Sequence, residues 1–396
     1  MTKSLLVRWM LVLLVCLATL ALFTVLLHFA VGGTPLGADF YTFWLGAKAV
    51  FAERINPYST EVTLASQMGI YGRAAYPTED QVAFAYPPFS LLAILPAAWM
   101  EFGWAQAFWM ALNILTILGV LLFGLSAFQR KVTLGYLIFY PVALGLILGN
   151  FAVLMGSLMV LVLYRLVLAN DTAKGWQIAG GLLLAWCTAK PQFVYLFALF
   201  LVLWALRKRR WLFLGSLAAS VVGLWGLAFL LVPGWLGTWL GRIVEYAGYV
   251  ESQPTLESLL SLVFPPMLAH TLTLILAAGL VCGTLVLLWT WWKGKLTSLP
   301  MIAWLGWLTY LLHPRGIAYE QITFLVPLLL WVATADKIKK WQMGLFWVGS
   351  IFISWLCFAL GKWVLHPLDA MPVVWNGIWL VWLLIQSFKE QEGEVA

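Results

Sequence analysis

What most constrains this 396-residue chain is a succession of apolar runs, most of them near the length of about 20 residues that a helix needs to cross hydrocarbon. They lie at about 9–31, 86–100, 104–128, 132–148, 151–169, 175–189, 191–206, 211–232, 267–292, 298–312, 317–335, 341–363 and 371–388. Backbone amides and carbonyls in lipid must be satisfied internally, so such runs fold as helices or as strands of a closed barrel. A barrel would show segments of about ten residues with alternating hydrophobicity, a pattern foreign to these runs. With 63% hydrophobic and 10% charged residues, the expected fold class is an all-α polytopic membrane protein.

The basic residues set the topology. Lys3 and Arg8 precede the first run, which exceeds the 7–15 residues of a signal-peptide core and so reads as an uncleaved anchor with a cytoplasmic N-terminus. Arg207 to Arg210, Lys293-Gly294-Lys295 and Lys337 to Lys340 mark the inner side. Working outward from them places 32–85, 233–266 and the turns at His313-Pro314-Arg315-Gly316 and His366-Pro367-Leu368-Asp369 outside. Two cytoplasmic ends require an even number of crossings. The expectation is therefore about twelve spanning helices, with the short, Pro96-interrupted run 86–100 re-entrant or otherwise not crossing, in a single domain over 1–396. In the first outer loop, Phe43, Trp44, Ala47, Val50 and Phe51 recur at near-helical spacing and predict short interfacial helices.

The net charge of +7 reports this loop bias, so membrane lipids, not nucleic acid, are the expected surroundings. The 25 tryptophans suit interfacial belts, since an indole joins an apolar body to one donor that stays wet. Cys16, Cys187, Cys282 and Cys357 stand singly in apolar stretches, without metal or disulfide spacing.

Polar residues gather toward one side. Asp39 is the first acidic residue, in Gly37-Ala38-Asp39-Phe40-Tyr41-Thr42-Phe43-Trp44, where the chain leaves its first apolar run. Charge near hydrocarbon needs a task or a partner; the plain alternative is a carboxylate capping the next helix. Lys190, in Ala189-Lys190-Pro191-Gln192, interrupts about thirty apolar residues, and a lysine at a helix centre costs ~2.5–3.5 kcal/mol to insert. A buried anion or a wet cavity explains it, or snorkelling between two helices. His313 and Arg315 bracket Pro314, the guanidinium offering a planar fork for phosphate or carboxylate, or pairing with lipid headgroups. Glu320 can pair with Arg315 or bind a sugar hydroxyl. Tyr58, Tyr86, Asn150 and Gln192 complete the candidate substrate-binding set. Glu245, Glu251 and Glu257, near Trp239, Tyr246 and Tyr249, form a second sugar-binding candidate or a solvated face.

One chemistry fits an outer carboxylate together with phosphate-binding cations in a lipid-accessible cavity. A sugar on a polyprenyl phosphate has its anomeric carbon at the membrane surface. Asp39 as catalytic base can take the acceptor hydroxyl's proton, while Lys190 and Arg315 neutralise the departing phosphate. One base and one stabilised leaving group suffice for a single inverting displacement. Asp39 has no neighbouring Asp or His at ligand spacing, so neither a metal nor a cofactor is expected.

The succession Asp39-Phe40-Tyr41-Thr42-Phe43-Trp44, Asn56-Pro57-Tyr58, Tyr86-Pro87-Pro88-Phe89, Gly149-Asn150, Lys190-Pro191-Gln192 and His313-Pro314-Arg315 resembles glycosyltransferase family 87. The resemblance implies the GT-C membrane architecture and an extracytoplasmic catalytic Asp in the first loop, carried onto Asp39. It also implies donor-phosphate contacts at residues such as Lys190 and His313, and a polyprenyl-phosphate sugar donor, with mannose as the sugar and a lipid-linked or glycan acceptor. The competing reading is a transporter or flippase for lipid-linked or anionic solutes, which would use the same buried lysine and broken helices.

Overall fold

The computed structural model describes residues 3–125, 130–249, 255–314, 317–334, 340–363, 368 and 370–395. Arg315, Glu251, Lys337 to Lys339 and the turn residues His366, Pro367 and Asp369, all named by the sequence reading, lie outside the described residues. Among the described residues all regular structure is helical.

Among the described residues six helices are long and apolar enough to cross a membrane: Met10–Val31, Phe102–Gly124, Phe151–Leu168, Trp211–Leu231, Pro266–Trp292 and Lys340–Lys362. The chain is a multi-pass membrane protein. Other runs form shorter apolar helices, Pro88–Trp99, Pro191–Arg207, Ser298–Leu311 and Ala318–Thr334. At 1.5 Å per residue an α-helix of 14 to 17 residues falls short of a hydrocarbon core about 30 Å thick. Pro88–Trp99 is a 3₁₀ segment containing Pro96 and a non-helical break at Ile94, so the interruption expected in that run is present.

The chain divides into two compact units. The first comprises Met1–Leu118, Leu146–Asn150 and Trp225–Val250. Both helices of its long loop are present. Ala38–Ala47 turns Phe40, Phe43 and Ala47 inward and continues as a π-helical turn, Lys48–Glu53, that buries Val50; Trp44 and Phe51 stay half-buried. The helix Thr60–Tyr71 starts where the Ser59 hydroxyl accepts from Val62 N–H and stops at Gly72, whose φ of 69° is left-handed. Gln106 ties the linker to the next helix, accepting from Leu36 N–H and donating to the Thr34 carbonyl. The amphipathic helix Trp235–Tyr249 is anchored to the same loop: Trp239 donates to the Ala85 carbonyl at 3.0 Å and Arg242 to the Tyr58 carbonyl at 2.6 Å.

The second unit comprises Gly119–Gly145, Phe151–Leu224 and Glu251–Ala396. Its axis is Ile322–Thr334, in which every residue from Ile322 to Ala333 is buried. A helix apolar all round belongs at the centre of a bundle. Gly306 lets Ser298–Leu311 close on it, since a Cβ there would stand 2.4 Å from the Thr323 carbonyl oxygen.

In the first loop, Arg73 makes a two-pronged bond with Glu79 at 2.8 and 2.7 Å and lies over the Tyr76 ring. Arg73 and then the Tyr76 N–H pull the Glu79 carboxyl down from 4.5 to about 2. A lowered folded-state value means that the clamp stabilises the loop fully above about 4.5 and is lost as pH falls through about 2. Hydrogen exchange over residues 72–81, corrected for intrinsic rate, should therefore be slower in wild type than in Glu79→Gln near neutral pH. The difference should vanish as pH approaches that lower value.

Candidate functional site

In the first unit the site is built on Asp39. Gly37, with extended backbone, precedes the helix Ala38–Ala47, and no side chain caps it. Asp39 therefore does not serve as the N-cap; it sits in the first turn, where the helix dipole favours a negative charge. Gly37 is required by proximity, because a Cβ there would lie 2.9 Å from the Leu148 Cα. That approach brings Asp39 to the turn Gly149-Asn150. The Asn150 amide is buried and donates to Asp39 Oδ2 at 2.8 Å.

The turn is held from behind. Gly149 has a φ of 69°, and a Cβ on it would stand 2.5 Å from Phe40 Cβ. The Trp109 indole donates to the Gly149 carbonyl at 2.8 Å and stacks on Phe40 at 5.8 Å between centroids. Asp39 itself is half-buried. Trp109 was not singled out by the sequence, where it is one tryptophan among 25 inside an apolar run.

Tyr58 and Tyr86 are joined in the same unit. The buried Tyr58 hydroxyl donates to the Tyr86 carbonyl at 2.6 Å, and burial raises its pKa. The Tyr86 ring meets Phe43 edge-on at 5.0 Å. Arg242, missed by the sequence reading, grips the Tyr58 carbonyl; its signal was a lone arginine in a loop rich in Trp and Tyr.

In the second unit a polar cluster collects where three short helices end. Lys190 precedes Pro191–Arg207, His313 follows Ser298–Leu311, and Glu320 opens Ala318–Thr334. Helix ends leave backbone groups without intrahelical partners, so segments that stop short of the hydrocarbon width must end among polar groups. Lys190 Nζ contacts Glu320 Oε1 at 2.5 Å with both side chains almost wholly buried, and lies 4.8 Å from the Tyr319 ring centroid. The buried anion allowed for at Lys190 is thus Glu320, not an interface reached by snorkelling. Glu320 Oε2 faces His313 Nε2 at 4.0 Å. The His313 carbonyl accepts from Thr255 N–H at 3.1 Å, and Gln321 donates to the Tyr310 hydroxyl at 3.3 Å. Gln192 is half-buried in the first turn after Lys190.

Two acidic residues of the second sugar-binding candidate make local ion pairs. Glu245 pairs with Arg242 at 2.7 Å in the first unit, and Glu257 with His270 at 3.3 Å in the second. Among the described residues no group of three or more His, Cys, Asp or Glu could hold a metal ion.

Removing one member of a buried ion pair strands the other charge, at a cost of about 3–5 kcal/mol, whereas an apolar replacement of both is far milder. Lys190→Met should therefore lower the thermal unfolding midpoint in detergent markedly. Lys190→Met with Glu320→Leu should recover most of the loss.

Residues 84–314 match glycosyltransferase family 87. The match takes in Tyr86, Asn150, Lys190, Gln192 and His313, and leaves Asp39, Tyr58, Arg315 and Glu320 outside it. No curated protein and no solved structure matches the chain. The matched segment covers more than half of the sequence, and the chain belongs to glycosyltransferase family 87.

Proposed function

We propose that this membrane-embedded glycosyltransferase moves a sugar from a polyprenyl-phosphate donor to a hydroxyl of a lipid-linked or glycan acceptor on the extracytoplasmic face, with inversion at the anomeric carbon. Mannose is the sugar that the family resemblance implies. The observation that carries the reading is the Asp39 carboxylate: half-buried, in the first turn of a helix, and oriented by a buried amide. A catalytic base needs this combination of reach and fixed direction.

In the step itself, the acceptor oxygen forms a bond to the anomeric carbon as that carbon's bond to the phosphate oxygen breaks. The acceptor proton passes to Asp39, and the lipid phosphate leaves with the bonding electrons. Lys190, His313 and Arg315 supply positive charge to that phosphate, helped by the N-terminus of Pro191–Arg207. Glu320 balances Lys190 in the cluster, so an arriving phosphate competes with it for the ammonium. Tyr58, Tyr86 and Gln192 are assigned to the substrate surroundings, with Asn150 beside the base. The six long and four shorter apolar helices of the described residues make ten of the about twelve membrane helices proposed for a single domain over 1–396.

Asp39→Asn keeps the side-chain shape and removes the base, a change worth about 10²–10⁴-fold in rate. Purified wild type should transfer radiolabelled mannose from polyprenyl-phosphate-mannose to a membrane-lipid acceptor extract, and the variant should not. Wild-type turnover by Asp39→Asn would remove the base assignment; equal transfer from a nucleotide-activated sugar would overturn the donor class.

A further inference from the structure

The buried side chain of Asn150 has a partner within the protein: it donates to Asp39 Oδ2 across 111 residues of sequence. A carboxylate can only accept, so the amide presents its NH₂ to Asp39. Three contacts hold that direction: the left-handed Gly149, the indole of Trp109 on its carbonyl, and Phe40 filling the space a Cβ would need. Phe40 follows Asp39 in the chain, so the ring that packs the turn and the carboxylate that receives the amide move together.

We infer that Asn150 is a positioning residue for Asp39, and not a sugar ligand: it fixes the carboxylate's direction and favours its charged form, with Trp109 and Gly149 as its rear support. The inference rests on Asp39 being the base. A hydrogen bond donated to a carboxylate favours the charged form, so loss of the donor moves the onset of activity to higher pH. A group that acts through the base changes turnover. A group that binds substrate changes the concentration needed to reach it.

The test uses the full-length enzyme in detergent with defined polyprenyl-phosphate-mannose. Asn150→Leu should lower kcat by about 10- to 100-fold, as expected for a lost bond to a charged group, with KM for both substrates changed less than about twofold. The acidic limb of its rate profile should move up by about one pH unit. Asn150→Asp, which faces the base with a second carboxylate, should lose still more at neutral pH and regain part of it as pH falls. Should Asn150→Leu fail to fold, Trp109→Phe keeps the stacking on Phe40 but deletes the bond to Gly149, and should give a smaller loss of kcat with a smaller pH shift in the same direction. An unchanged kcat and pH profile in a folded Asn150→Leu, or a raised KM at unchanged kcat, overturns the positioning role. Asp39→Asn measured alongside separates the failures: full activity there removes the base itself, whereas an inactive Asp39→Asn beside a normal Asn150→Leu removes only the role of Asn150.

Discussion

A charge shielded from water persists only when another group supplies what the water gave up. Both polar clusters of this protein are built on that requirement. Asp39 receives a buried amide and the positive end of a helix; Lys190 receives Glu320 and the face of Tyr319. An uncompensated ion as deeply buried as Lys190 would cost several kcal/mol, so its charge determines what must be folded around it. The surroundings of Asp39 include a glycine approach at Gly37, a left-handed turn at Gly149 and an indole held against the turn's carbonyl.

Helix length follows from the same demand. Ser298–Leu311 and Pro191–Arg207 stop short of the hydrocarbon width, and their ends meet Lys190, His313 and Glu320. Interrupted helices of this kind are affordable only where protein or water receives the loose backbone groups. They supply polar ground inside an otherwise apolar protein. Family membership supports transfer of a sugar, in preference to transport, as the use made of it.

Much of this was legible from residue order. Runs of apolar residues announce helices, Pro191 beside Lys190 announces a break, and a lysine amid about thirty apolar residues announces a buried anion or a wet cavity. The partners were not legible. Nothing local ties Lys190 to Glu320 or Asp39 to Asn150, because such pairs are fixed by how helices pack and not by spacing along the chain. Residue order offers Arg315 or a sugar hydroxyl for Glu320 and substrate for Asn150; the contacts with Lys190 and Asp39 come from packing alone. The interruption of the run 86–100 was legible at Pro96, whereas its non-helical break two residues earlier, at Ile94, was not.

The stereochemical course of transfer tests the central claim most directly. A single carboxylate acting as base, with phosphate as leaving group, permits one displacement and hence one inversion. With a polyprenyl-phosphate sugar of defined anomeric configuration, the coupling constant of the product's anomeric proton reports the outcome. Inversion is the expected result. Retention would require either a double displacement or attack from the face the phosphate leaves, and either course would contradict Asp39 as the base of an inverting displacement.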